Sequence, residues 1–118
     1  MARRRSEVAG DEAAIAVFVA MADPSRRAIL DTLATKGPAT VSELAGRLPI
    51  TRQAVAKHLG LLVDAGLVAA ADAEGRRVPY HLRPEPLRVA TVWLRALANR
   101  WDDRLRALAR HLDDAESR

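Results

Sequence analysis

Apolar residues recur along this chain first with a helical period, then in two short runs around a turn, then with a helical period again, and short breaks separate the segments. From about Asp11 to Ala22, the residues Ile15, Phe18, Val19 and Ala22 fall at i, i+3, i+4 and i+7, which is one face of a helix that needs a cover from elsewhere. Asp23 and Pro24 follow as an N-cap and a first helical residue. Ile29, Leu30 and Leu33 then carry a second helix to about Thr35, where Lys36, Gly37 and Pro38 stop it. Thr40 and Glu43 have capping-box spacing and open a short third helix that ends near Leu48, with Leu44 and Leu48 turned inward. Pro49 prevents continuation. Thr51 caps a fourth helix, to about Ala65, whose inward stripe is Val55, Leu59 and Leu62, and Gly66 ends it.

Beyond Gly66 the helical period is lost. Leu67 to Asp72 and Arg77 to Leu82 are two short runs around the Gly-containing turn Ala73 to Arg76, as in a β-hairpin, and Pro79 makes the second run an edge strand. A final helix starts at Pro84 or Pro86 and extends to about Asp114. In it Leu87, Leu94, Trp101 and Leu108 recur every seven residues, and Thr91, Ala98, Leu105 and Leu112 repeat four positions later, which is an a/d seam with Arg88, Arg95, Arg104 and Arg106 outside it. Trp93 and Leu97 widen this stripe beyond what a small domain needs to cover its own core, which implies a second copy of the chain as the cover.

Composition narrows the function classes. The 118 residues suffice for one domain with a single core, here residues 11–114, with residues 1–10 as a disordered basic arm and residues 115–118 as a disordered tail. A net charge of +4 favours an anionic partner, nucleic acid ahead of an acidic membrane surface. Aromatic residues make up 3% of the chain, so the core rests on Ala, Leu and Val, which suits helices. The absence of cysteine excludes disulfides, thiolate metal sites and thiol redox chemistry. Arg3, Arg4 and Arg5 lead to Asp11 and Glu12 and not into an apolar run, so no secretory signal is read. No apolar stretch reaches the roughly 18 to 20 residues that span a bilayer, and a cytoplasmic protein without membrane attachment is expected. Ser6, Ser25, Ser42 and Ser117 lie at caps or termini and the glycines are single turn residues. With no nucleophile beside a base, no phosphate loop and no carboxylate cluster, neither enzymatic activity nor a cofactor is expected.

Two short helices joined by a tight turn, followed by a hairpin and one more helix, describe a winged helix-turn-helix: mainly α, with a small β-hairpin wing. Packing through Leu44, Leu48, Val55, Leu59 and Leu62 would leave the outer side of the fourth helix free to enter a major groove, presenting Thr51, Arg52, Gln53, Ala56 and Lys57, with His58 beside them. Arg suits guanine edges, Gln suits adenine edges and Ala meets a thymine methyl, while Lys and a hydroxyl anchor phosphates. At the hairpin tip Arg76 and Arg77 face the adjacent backbone or minor groove, and Arg26 and Arg27 at the start of the second helix are candidate backbone contacts. Plainer readings stand beside these. His58 also suits partial burial, Arg26 and Arg27 a solvated helix face, His81 and Tyr80 packing in the wing, and Trp93 and Trp101 a core or interface in place of an effector cavity.

Five stretches carry a resemblance: Met21 to Leu30 (MADPSRRAIL), Val41 to Ala45 (VSELA), Ala54 to Leu59 (AVAKHL), Asp64 to Val68 (DAGLV), and the wing triplet Gly75 to Arg77 (GRR). In this order, over roughly Ala13 to Leu112, they resemble the ArsR family of winged-helix repressors. The resemblance implies a homodimer built by the first and last helices, here through Ile15, Phe18, Leu87, Leu94, Trp101, Leu105 and Leu108. It implies binding to an inverted-repeat operator in double-stranded DNA near the chain's own promoter, and release by a small-molecule or protein effector. Trp93-Leu94 and the run Trp101 to Leu105 are most similar to the metal-independent branch. Metal-sensing relatives carry a cysteine pair before the recognition helix, or Asp/His and His/Glu ligands across the paired last helices. The first is absent, and in the last helix only His111 and Asp114 have i, i+3 ligand spacing, where a lasting site takes three or four ligands. Two further readings stay open at this point: a protein-interaction module whose last helix pairs with a different chain, and a metal-responsive repressor using His111 and Asp114.

Overall fold

The structure is a computed structural model that describes the backbone of residues 2–117 and the side chains of residues 10–117. Along the described chain the elements are α1 (Ala2–Met21), α2 (Pro24–Lys36), α3 (Val41–Arg47), α4 (Arg52–Asp64), β1 (Val68–Ala70), β2 (Tyr80–Leu82) and α5 (Glu85–Glu116). Local chemistry sets the starts of the middle helices. The Asp23 carboxylate accepts from the N–H groups of Ser25 and Arg26 at 2.8 and 3.0 Å, while Pro24 has no N–H to satisfy. Thr40 and Glu43 form the expected reciprocal capping box at 3.1 and 3.3 Å, and the Thr51 hydroxyl accepts from Ala54 N–H at 3.1 Å. α2 ends at Gly37, whose φ of 85° is open to glycine and whose N–H returns to the Leu33 carbonyl.

These caps bring the inward stripes together. Ile29, Leu30 and Leu33 of α2, Leu44 of α3, Val55, Leu59 and Leu62 of α4, and Leu67 and Val68 at the wing's base form one buried cluster, with Leu48 half-buried against it. The first helix carries two apolar faces, and the protomer's own core takes the one built from small residues. Its core-facing side is Ala14, Val17 and Ala20, all buried, and Ile15, Phe18 and Val19 point away. Small side chains on α1 suit close packing, and Ala90 of α5, which packs along α1, is buried in turn. α1 also begins at Ala2, so the segment expected as a disordered arm is helical from there; it is free of Pro and rich in Ala, Arg and Glu, which are good helix formers. Met1 and Arg118 lie outside the described residues. At the other end α5 continues to Glu116, through most of the expected tail.

β1 and β2 pair antiparallel in the register Val68 to Leu82, Ala69 to His81 and Ala70 to Tyr80. Glu74 and Arg77 exchange backbone hydrogen bonds of 2.7 and 3.0 Å across the tip, where Gly75 takes a φ of 64°. The expected edge position of the second run does not hold at Tyr80. Its N–H donates to the Ala39 carbonyl at 2.8 Å and its carbonyl accepts from Ala39 N–H at 3.0 Å, so β2 is bonded on both sides there. Pro79 is accommodated because only its carbonyl is needed, accepting from Ala71 N–H at 2.8 Å. The wing is thereby fastened to the segment that leads into α3.

α5 has 32 residues, a length of about 48 Å at the α-helical rise. Only its first part meets the core, through half-buried Leu87 and buried Ala90; every described residue from Leu97 onward is exposed. The radius of gyration is 20.4 Å, where a compact chain of this length has about 13 Å.

Candidate nucleic-acid interface

α4 has two sides of opposite character. Val55, Leu59 and Leu62 retain at most 1% of their surface and fix the helix to α2 and α3. On the other side Arg52, Gln53, Ala56 and Lys57 are exposed, and among the described residues Arg52, Gln53 and Lys57 have no hydrogen-bond or ion-pair partner. The first turn of α4 holds no acidic residue. Thr51 is exposed as well; its oxygen is engaged as the cap, and its hydroxyl proton remains to donate outward. His58 is set apart from this face. It is half-buried, its Nδ1 is enclosed without a hydrogen-bond partner, and it lies near enough to Asp23 to help hold that carboxylate ionised.

The wing arginines divide. Arg76 is exposed and has no partner among the described residues, whereas Arg77 donates from Nη2 to Oε1 of Glu43 in α3 and lies 3.7 Å from Glu74. Arg77, expected at the wing tip to face the DNA backbone or minor groove, is paired with the protein's own Glu43. The hydrogen bond from Arg77, followed by the hydroxyl and N–H of Thr40, holds the Glu43 carboxyl below the usual carboxylate range, and Glu43 raises Arg77 in return.

Arg26 and Arg27 are also committed elsewhere. Arg26 donates from Nε to the Ala20 carbonyl at 3.1 Å and from Nη2 to that of Val19 at 3.2 Å, and Arg27 donates from Nη1 to the Met21 carbonyl at 2.7 Å. These carbonyls belong to the last turn of α1, that of Val19 also accepting from the Ala22 N–H at 3.3 Å, so both guanidinium groups help to close that helix. The Arg26 N–H, ahead of that of Ser25, also holds the Asp23 carboxyl below its ordinary value.

The apolar residues expected to pair two chains are, but for one, exposed. Ile15 is 60% exposed, Trp101 58% and Leu94 50%, and Leu105 and Leu108 continue the row. Phe18 meets Trp93 edge to face at 5.8 Å between centroids, and the Arg104 guanidinium lies 5.9 Å from the centre of the Trp101 ring. Leu87 is the exception: it packs against the protomer's own core. His111 and Asp114 stand exposed near the end of α5, and the described residues contain no group of three or more His, Cys, Asp or Glu positioned around a metal ion. No helix among the described residues is long and apolar enough to cross a membrane.

Sequence reasoning missed the part played by Glu43, whose link to the wing spans 34 positions. Its only local signal was the capping box.

A family model described as a helix-turn-helix domain matches residues 21–69, from the last residue of α1 into β1. HTH-type transcriptional regulator Rv2034 of Mycobacterium tuberculosis is 46% identical over 83 residues, covering 66% of this chain and 76% of that protein. Transcriptional repressor SdpR of Bacillus subtilis is 30% identical over 89 residues, covering 75% of this chain and 97% of that protein. The solved structure of an ArsR-like transcriptional regulator from Rhodococcus sp. RHA1 superposes with a TM-score of 0.78 at 34% identity, covering 86% of this chain and 92% of that one. On these likenesses the chain belongs to the ArsR family of winged helix-turn-helix proteins, which are DNA-binding transcriptional regulators.

Proposed function

We propose that two copies of this chain pair through α1 and α5 and repress transcription from an inverted-repeat operator near their own promoter. Each copy lays the N-terminal part of α4 in a major groove and sets Arg76 against the adjacent backbone. The observation that carries this reading is the asymmetry of α4: its apolar side is wholly enclosed, and its opposite side offers Arg52, Gln53, Ala56 and Lys57 with no partner of their own among the described residues. Arg52 and Gln53 supply bidentate donors and acceptors for base edges, and Lys57 and the Thr51 hydroxyl serve phosphates. A twofold arrangement would present the two α4 helices to half-sites one helical turn apart. The name of the relative SdpR favours repression over activation. As a DNA-binding regulator it would work in the cytoplasm and catalyse nothing.

Titration of a duplex from the chain's own upstream region tests this. A dimer that neutralises about six to ten phosphates loses on the order of a thousandfold in affinity between 50 and 200 mM salt. Salt-insensitive binding, or none, would refute the reading.

The length of α5 favours one alternative, in which a different protein covers the exposed seam. Light scattering on the pure chain separates the two: a stable dimer supports self-pairing, and a monomer that associates only with a partner supports the alternative.

A further inference from the structure

A cleft of about 580 Å³ separates the start of α3 from the wing, and one ion pair crosses it, from Arg77 to Glu43. Glu43 serves both sides of that cleft. Its Oε1 accepts from the Thr40 N–H, completing the cap of α3, and from the Arg77 guanidinium, while Oε2 faces Arg47 at 3.8 Å. At the base of the wing the Ala39–Tyr80 backbone bridge already fixes β2. The tip lies farther out, and the Glu43 carboxylate is the partner outside the wing that Arg77 has among the described residues.

We propose that Glu43 is a positioning residue for DNA binding, one that tethers the wing through Arg77 and leaves Arg76 as the wing's phosphate contact. The proposal rests on the DNA-contact reading above. An arginine already neutralised by a carboxylate displaces few counterions on meeting a phosphate, and drawing it away would uncover the Glu43 charge beside DNA. A tethered wing, by contrast, has less freedom to lose on binding. Electrostatics and tethering make opposite predictions for Glu43→Gln. The substitution adds net positive charge, so a charge effect alone would tighten binding, whereas loss of the tether loosens it. Gln also serves at this position of a capping box, so α3 keeps its start.

The test uses the full chain and the tightest duplex it selects from a random pool, with affinity measured from 50 to 200 mM salt. Arg77→Ala and Glu43→Gln should each weaken binding about three- to tenfold, with the salt slope unchanged and the double variant no weaker than either single. Arg76→Ala should lower the slope by about two per dimer. An Arg77→Ala variant that loses slope as Arg76→Ala does, additive losses in the double variant, or Glu43→Gln binding at least as tightly as the wild type would each overturn the proposal. A wild-type chain that selects no duplex would overturn the DNA reading and the tether with it.

Discussion

On the proposed reading, Thr51 couples folding to recognition. Its hydroxyl oxygen accepts from Ala54 N–H, so the point at which α4 begins decides where Arg52 and Gln53 are aimed. Thr51→Ala should destabilise the fold by about 1 kcal/mol, the usual worth of such a cap, and Thr51→Ser should recover it; thermal melts in the absence of DNA measure both. Gln53 lies one turn before Lys57 on the open face and makes no contact that a melt would register. Gln53→Ala should leave the melting temperature unchanged yet reduce discrimination between the selected duplex and single-base variants by about tenfold, as read in competition binding. Equal weakening on every duplex would assign Gln53 to the backbone. At this scale the sequence was informative wherever a residue's role follows from its near neighbours. The caps and the bare side of α4 are of that kind. Arg77, Arg26 and Arg27 are not: an arginine looks equally free in sequence whether its guanidinium meets water, a carboxylate or the open carbonyls of another helix.

The junction of α1 and α2 shows what holds one element to the next. Asp23 starts α2 while Arg26 and Arg27, one turn on, reach back to the carbonyls that end α1, so a single helical turn satisfies orphan groups of both helices. The Asp23 carboxyl is held below its ordinary value, first by the Arg26 N–H. A depressed folded value means that the ionised carboxylate favours the folded state: this stabilisation is present above the unfolded value near pH 4 and is lost as pH falls through the folded one. Asn caps well without titrating, so between pH 5 and pH 3 the melting temperature of Asp23→Asn should fall a few degrees less than that of the wild type. The remaining fall would carry the contribution of Glu43, which is depressed by Arg77 in the same sense. Parallel melting curves would show that the Asp23 cap does not depend on its charge. Element boundaries were legible because Pro24, Gly37, Thr40, Thr51 and Gly66 act locally. The inward face of α1 was not, since two apolar faces compete there and the closeness of α5 selects the one built from Ala14, Val17 and Ala20.

At the scale of the molecule, α5 is out of proportion to the domain it leaves. Its row of Leu94, Trp101, Leu105 and Leu108 is about half exposed, and with Ile15 on α1 it leaves large apolar side chains to water. A helix in this position gains from a second copy what a core helix gains from its neighbours, and the twofold symmetry that follows would set the distance between the two α4 helices. The double substitution Leu94→Glu with Leu105→Glu should therefore reduce the mass in light scattering to that of one 12.9 kDa chain. Arg88→Glu, off the seam on the same helix, should leave the mass unchanged. Because neither leucine belongs to the buried cluster, the helix-turn-helix and wing should persist in the monomer. Binding to a selected palindromic duplex should fall by about a hundredfold or more, since the second α4 no longer arrives tethered to the first. A half-site duplex distinguishes lost pairing from lost folding: the monomer should bind it with nearly the affinity of one wild-type protomer, and a monomer that fails there would place part of the DNA-binding unit's own stability in the seam.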